Sequence, residues 1–354
     1  MSNNKMYQWQ MSEPDKDFIL KETDIPELKN GEALIKVAGC GVCHTDLSFW
    51  HYGVKTKHAL PLTLGHEISG VVIAGDKNFL NKPFIIPAVL PCGECELCKK
   101  NKSNICRNQL MPGNDFHGGF ASHVVVPSRF LCPVPDIALT KYSLEQLSVI
   151  ADAISTPYQV VKKSELEAGD LAIVIGVGGV GIYGALIAKI LGAKVIALDI
   201  SEDKLALAKA NGIDCVLNIK GLDAKAIKEK VKEFAKELNA PKTGWKIFEI
   251  SGTKSGQELA FSLITFASTL SIVGFTMDKV DIRLSNIMAF DAKLIGTWGC
   301  RAELYPEVLD LIISDKLNIS DFIQLFPMSE INEVFKNTLN HKYSKRSILV
   351  PDFK

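Results

Sequence analysis

The stretch LAIVIGVGGVG at residues 171–181 narrows the fold more than any other segment of the chain. Leu171–Ile175 reads as a buried strand, Gly176, Gly178 and Gly181 follow as GxGxxG, and small residues continue in a helical pattern. The first glycine permits a tight turn, the second lets a pyrophosphate approach the backbone, and the third lets the helix pack close to the sheet. The N-terminus of that helix then faces the negative charge. Asp199 ends the next apolar strand, about twenty residues on, where a carboxylate can accept from both hydroxyls of an adenosine ribose and repel a 2′-phosphate. NAD is therefore favoured over NADP. The plain alternatives are a strand–turn–helix with packing glycines, and Asp199 as a helix-capping acid.

Two textures alternate along the sequence. From Lys16 to about Ala151, short strands such as LIKVAGCGV, EISGVVIA, FIIPAVLPC and FASHVVVP are punctuated by Gly and Pro, the pattern of a β-rich, partly open barrel. From about Glu167, strands KVIALD, CVLNI, KIFEIS and TLSIVGF alternate with helices SEDKLALAKANG, DAKAIKEKVKEFAKELN and one from Ser255 to Phe266. That order implies βαβ units and a parallel sheet with right-handed crossovers. The expected class is α/β, a β-rich domain at 1–153 joined to a doubly wound parallel-sheet domain at 154–295. Residues 296–354 are mixed, and their last strand candidate, SILVP, is expected to return to the first domain.

Four of nine cysteines, Cys92, Cys95, Cys98 and Cys106, fall within one stretch, CGECELCKKNKSNIC, in a lobe at about 90–107. Four thiolates so close can close a tetrahedron around a soft divalent metal with no position left open, the habit of structural zinc. Disulfides fit poorly, because no apolar signal core is seen in MSNNKMYQWQMSEPDKDF and a chain of 354 residues does not depend on staples. Cys40, Cys132, Cys215 and Cys300 read as buried small side chains. Lys and Arg number 40, as do Asp and Glu, so no long-range field draws nucleic acid or an anionic membrane. The glycine-broken apolar runs do not read as a membrane span. A cytoplasmic protein without nucleic-acid or membrane partners is expected, and the Lys-rich helix at 223–238 is a solvated face.

Cys43 in GCGVCHTDL, His66 in LGHEISG and Asp152 in ADAISTPYQ offer one thiolate, one imidazole and one carboxylate. Three protein ligands with a fourth position for water or substrate is the pattern of catalytic zinc. Taken singly, Cys43 is equally a small hydrophobe, His66 a core histidine and Asp152 a helix cap.

The motifs in series carry a resemblance. GxCHTD at 41–46, GHE at 65–67, the four-cysteine lobe, GVGGVG, and Asp199 with Lys204 beyond it resemble the zinc-dependent medium-chain alcohol dehydrogenases over nearly the whole chain. The resemblance implies a GroES-like catalytic domain, a Rossmann domain, a cleft between them, two Zn2+ per chain and NAD. It assigns Cys43, His66 and Asp152 to catalytic zinc, with Glu67 as an exchanging ligand. Asp46 orients His66, Thr45 bonds the substrate hydroxyl, and His44 and Arg346 approach the pyrophosphate. It also implies a homodimer or homotetramer built by pairing Rossmann sheets edge to edge.

Departures from the family pattern bear on substrate. Asp152 replaces a common cysteine, which hardens the site and leaves the metal more electrophilic. Ser48 stands where many relatives carry a proton-relaying histidine; His51 is the nearest replacement. Ala88 replaces a pocket aromatic, Asn114 and Asp115 replace apolar residues, and Trp298 is the best aromatic candidate for the pocket. A wider, more polar pocket follows. Within the family, PAVLPCGECELCKKNKSNIC, MPGNDFHGGFASHVVVP and ADAISTPYQ are most similar to enzymes acting on a ring alcohol of a cyclic acyl-CoA. Lys55, Lys57 and Arg301 are the candidates for the CoA phosphates.

Overall fold

A computed structural model describes residues 5–353, which divide into two compact units. The first contains the chain up to Ser155 and from Gly299 onward; the second is Thr156–Trp298.

In the first unit, β1 (Lys5–Gln10) and β2 (Ile19–Asp24) form an antiparallel ribbon. β3 (Glu32–Gly41), β4 (Glu67–Ala74), β5 (Pro83–Ile86), β6 (His123–Pro127) and β7 (Cys132–Pro133) belong to a larger sheet. β3 is its organising strand. It pairs antiparallel with β4, with β6 and with the last strand of the chain. The core against this sheet gathers Ile35, Leu47, Leu62, Leu64, Ile68 and Phe120. Phe335, from the helix Ile331–Leu339 near the C-terminus, packs edge-on against Phe18, Trp50 and Phe120, with ring centroids 4.6, 5.6 and 5.5 Å away. Such pairs add about 0.5–1.5 kcal/mol each beyond their buried area.

The second unit holds β8 (Leu171–Ile175), β9 (Lys194–Asp199), β10 (Cys215–Asn218), β11 (Lys246–Glu249), β12 (Thr269–Ile272) and β13 (Lys293–Gly296). All six are parallel, in the order β10-β9-β8-β11-β12-β13. Counted within the unit this is 3-2-1-4-5-6, the doubly wound order whose reversal lies between β8 and β11. β8 is apolar throughout because helices cover both of its faces, so all five residues are buried. Cys215 departs from the expectation of burial: it begins the edge strand β10 and is half-exposed. The helix expected from Ser255 to Phe266 runs only from Lys254 to Ser262. A turn takes over, in which Ser268 Oγ accepts from Thr265 N at 3.0 Å and Ala267 adopts φ 58°.

The return segment supplies β14 (Ile323–Pro327) and β15 (Arg346–Val350). β15 pairs parallel with β14 and antiparallel with β3. SILVP thus lies in the first unit's sheet.

Candidate active site and metal centres

Both donor sets gather in the first unit. In the lobe, the sulfur of Cys92 lies 4.0 Å from that of Cys98 and 3.4 Å from that of Cys106. Cys95 stands 3.5 Å from Cys98 and 3.7 Å from Cys106. Four sulfurs each about 2.3 Å from one zinc stand about 3.8 Å apart, so the lobe has the size of a closed zinc tetrahedron. All nine cysteines are free thiols. Backbone amides prepare the charge: the Cys98 N–H leads in pulling Cys95 down to about 6, and the Glu94 and Cys95 amides lower Cys92. Thiolates are the ligating form; burial acts the other way on the remaining two, pushing Cys98 up to about 12 and raising Cys106.

The second centre is assembled from distant elements. Cys43 is the N-cap of the short helix His44–Trp50, whose Leu47, Phe49 and Trp50 anchor it in the core. His66 immediately precedes β4, and Asp152 follows a 3₁₀ turn at Gln146–Ala151. Asp152 Oδ2 lies 3.6 Å from both Cys43 Sγ and His66 Nε2. Ligand atoms of Cys43, His66, Glu67 and Asp152 all lie within 4.8 Å of one another. A thiolate, an imidazole nitrogen and a carboxylate oxygen in that space suit zinc.

Asp46 serves both the helix and the metal centre. Its Oδ2 accepts from Cys43 N at 2.9 Å, closing the helix cap, and its Oδ1 accepts from Gly65 N at 3.1 Å. Oδ1 also lies 3.3 Å from His66 Nδ1, although the ring N–H is not aligned for a hydrogen bond. A carboxylate at Nδ1 directs Nε2 to the metal and fixes the tautomer. Burial pushes His66 toward neutrality, but Asp46, Cys43 and Asp152 outweigh it and hold its pKa well above the ordinary value. The cage favours positive charge, as a cation site must.

Glu67 and Arg346 form a buried two-pronged ion pair. Arg346 Nε donates to Oε2 at 3.0 Å, and Nη2 donates to Oε1. Burial pushes Glu67 up to about 7 against the opposing pull of Arg346. To exchange onto the metal, Glu67 has to loosen its hold on Arg346. Arg346 keeps about three further N–H donors for another anion. Gly41 makes the pair possible: it lies on β3 between Glu67 and Ile348, and a Cβ there would stand 2.0 Å from Glu67 Oε2. Glu67 and Arg346 are separate candidates in the sequence, 279 residues apart, and only the fold pairs them.

Thr45 Oγ1 is 3.7 Å from Cys43 Sγ, and His44 is exposed beside it. Ser48 Oγ donates to the His44 carbonyl at 2.9 Å, while His51 pairs at the surface with Asp15. Ala88 is buried. Asn114 Oδ1 accepts from Lys57 N at 3.1 Å, and Asp115 pairs with Lys57 Nζ at 3.0 Å and accepts from Met111 N. The charge of Lys57 is thereby neutralised locally. Arg301 donates to the Asn101 carbonyl at 3.1 Å, and Lys55 is exposed.

In the second unit the glycine turn has the required shape. Gly176 has φ 84°, and a Cβ on Gly181 would meet the Gly176 carbonyl at 1.8 Å. A Cβ on Gly178 would face open space, apart from Lys204 Nζ at 3.9 Å. Asp199 is buried at the end of β9; Oδ2 accepts from Val177 N, and Oδ1 from Ile200 N and Ser201 N. With about four acceptor sites on a carboxylate, the remaining one lies on Oδ2. Behind the turn, Glu249 Oε1 gathers the Ser251 hydroxyl and the amides of Ser251 and Gly252. Ser251 backbone would lie 2.6 Å from a Cβ on Gly176, so Glu249 holds the loop on which the turn rests. The only hint of it in the sequence is an acid ending the apolar strand KIFEIS. Trp298 ends the second unit, half-exposed.

Residues 29–136 match the alcohol dehydrogenase GroES-like domain family, and residues 179–314 match the zinc-binding dehydrogenase family. An alcohol dehydrogenase of Geobacillus stearothermophilus is 30% identical, covering 93% of this chain and 94% of that protein. Acetophenone reductase of Geotrichum candidum, solved with NAD, superposes with a TM-score of 0.85 at 24% identity, over 99% of this chain and 98% of that one. A thermostable alcohol dehydrogenase of Pyrobaculum aerophilum gives a TM-score of 0.85 at 21% identity, over 98% and 100%.

Proposed function

The chain belongs to the zinc-dependent alcohol dehydrogenases, NAD-dependent oxidoreductases of the medium-chain fold, and from that premise we propose that its substrate is a ring secondary alcohol carried on a CoA thioester. The proposed reaction is oxidation of 6-hydroxycyclohex-1-ene-1-carbonyl-CoA to 6-oxocyclohex-1-ene-1-carbonyl-CoA, in anaerobic degradation of benzoyl-CoA in the cytoplasm. The similarity of the three segments around the cysteine lobe, Asn114 and Asp152 supports the substrate.

The convergence of Cys43, His66 and Asp152 is the observation that carries the dehydrogenase reading. Those three residues would hold the catalytic metal, and Cys92, Cys95, Cys98 and Cys106 would hold the structural one. Zinc supplies Lewis acidity that lowers the pKa of a coordinated hydroxyl, from 15.7 to about 7 in the case of water, and NAD supplies the hydride acceptor. Thr45, beside Cys43, is assigned to accept the hydrogen bond of the substrate hydroxyl and pass on its proton. Asp46, 3.3 Å from Nδ1 of His66, favours the ring proton on that nitrogen and leaves Nε2 to face the metal. Gly176, Gly178 and Gly181 admit the pyrophosphate, Asp199 and Lys204 address the adenosine ribose, and the family resemblance assigns His44 and Arg346 to the phosphates.

A second reading, a zinc alcohol or polyol dehydrogenase acting on a free secondary alcohol, is favoured by the engagement of Lys57 with Asp115 and of Arg301 with Asn101. Both residues were candidates for the CoA phosphates. NADH formation from a panel of cyclic acyl-CoA alcohols and the corresponding free cyclic alcohols separates the two readings. A kcat/KM for the thioester no higher than for the free alcohol would overturn the first.

We also propose a homodimer, or a tetramer of such dimers, formed at β13. Among the described residues that strand pairs only with β12, and Leu294 on it and Leu284 and Met288 just before it are exposed. An open, apolar strand edge invites pairing with a second copy. Sedimentation of a Leu294→Glu variant should show monomer; an unchanged oligomer would sink this placement.

A further inference from the structure

We propose that Tyr305 is a positioning residue for the catalytic metal, acting through the peptide that carries Asp152. The inference rests on the reading of Cys43, His66 and Asp152 as metal ligands. Tyr305 begins the helix Tyr305–Ile313 in the return segment and is fully buried. Its hydroxyl donates to the Ala151 carbonyl, 154 positions away in sequence, and accepts from Ala88 N at 3.2 Å. The same carbonyl is approached by Ser155 Oγ at 3.3 Å and by Ala88 N at 3.4 Å.

Three donors therefore converge on the one carbonyl that immediately precedes a metal ligand. Asp152 itself has φ −144° and ψ −54°, outside helix and strand, so no repeating hydrogen-bond ladder fixes its direction. The side chain points where the 151–152 peptide is held, and Tyr305 holds it. Ala88 takes part in the same clasp, which joins a candidate pocket residue to a metal ligand. Burial keeps the Tyr305 hydroxyl protonated, and hence a donor, across the working pH range. A tyrosine needed only to fill space would serve equally well as phenylalanine.

Tyr305→Phe removes the clasp and keeps the ring. Outer partners of metal ligands typically change metal affinity by about 10–100-fold, and a fall in that range is expected at the catalytic centre alone. The measurements are zinc release to a chromophoric chelator, the visible absorption of the Co(II)-substituted protein, and the melting temperature. Cys43→Ala serves as the reference that retains only the lobe metal. Tyr305→Phe should release the catalytic metal about tenfold faster or more, with an altered Co(II) spectrum and an unchanged lobe. Ser155→Ala, which removes a weaker donor from the same carbonyl, should move both readouts in the same direction by less. Wild-type release and an unaltered spectrum in Tyr305→Phe would overturn the proposal. Parallel loss of both metals with a lowered melting temperature would do so too, by showing a purely structural role. Should Tyr305→Phe not fold, an unaltered Ser155→Ala decides against the proposal. A wild-type chain that binds metal only in the lobe would instead remove the ligand reading on which the proposal stands.

Discussion

In the cysteine lobe one loop carries four identical donors, whereas the catalytic centre draws three unlike donors from segments as much as 109 residues apart. The lobe needs little beyond its own sequence: the spacing of its sulfurs sets its geometry, and local backbone amides lower two of its four thiols. The centre needs the sheet, the helix cap at Cys43, the Asp46 carboxylate and the clasp on Ala151 before its donors meet. A local site is made stable by its ligands, while a dispersed site is made precise by its neighbours. Four thiolates around one zinc would leave no position for substrate, whereas on the proposed assignment Cys43, His66 and Asp152 would leave one, with Glu67 paired to Arg346.

Selective removal of one metal tests this contrast most strongly. Cys43→Ala should lower turnover about 10³-fold or more, since several kcal/mol of charge stabilisation are lost. It should leave one zinc per chain and near-normal NADH binding by fluorescence titration; undiminished turnover would show that the dispersed donors do not carry the chemistry. Next in size, Cys98→Ser should empty the lobe and lower the melting temperature by about 5 °C or more. The activity of the molecules that remain folded should be close to normal, because the lobe takes no part in chemistry. Asp46→Asn should weaken metal binding at the centre by about 10–100-fold and leave the lobe untouched, as read by chelator competition. Equal loss at both sites would blur the distinction.

The smallest effect is expected from a residue outside both clusters. Burial raises the Glu249 pKa above its ordinary value, so the folded state binds that proton more tightly than the unfolded chain. The stability this contributes is complete below the unfolded pKa and is lost as pH rises through the folded one. Glu249→Gln should therefore match the wild-type melting temperature near pH 4 and exceed it by about 2 °C at pH 8, with both metals retained. A variant less stable than wild type at pH 8 would show that the carboxylate's grip on the Ser251 loop outweighs its burial.

What could be read in advance follows the same division. The glycine turn and the lobe announce themselves because each is a short-range pattern with one physical purpose. The parallel sheet is legible from the alternation of apolar strands with helices, and its switch point from the position of the glycines. Cys43, His66 and Asp152 could be brought together only by resemblance, since no periodicity relates residues on a helix cap, a strand end and a 3₁₀ turn. The Glu67–Arg346 pairing, the engagement of Lys57 with Asp115 and the reach of Tyr305 to Ala151 were invisible. Each depends on a long-range register that no local composition encodes. The early end of the helix at Ser262 is a smaller case, where a Ser268 side-chain bond to Thr265 N competed with the helical ladder.

The hydrogen at Gly41, where any other residue carries a carbon, lets opposite charges lie across the middle of a sheet. Until Arg346 is in place, the buried Glu67 carboxylate lacks the cation that pairs with it, a costly state for a charge. The amino-terminal stretch is therefore not expected to complete the catalytic centre during its own synthesis. It must wait for a strand that follows the whole second unit in the sequence, so the order of assembly is written into a missing methyl group.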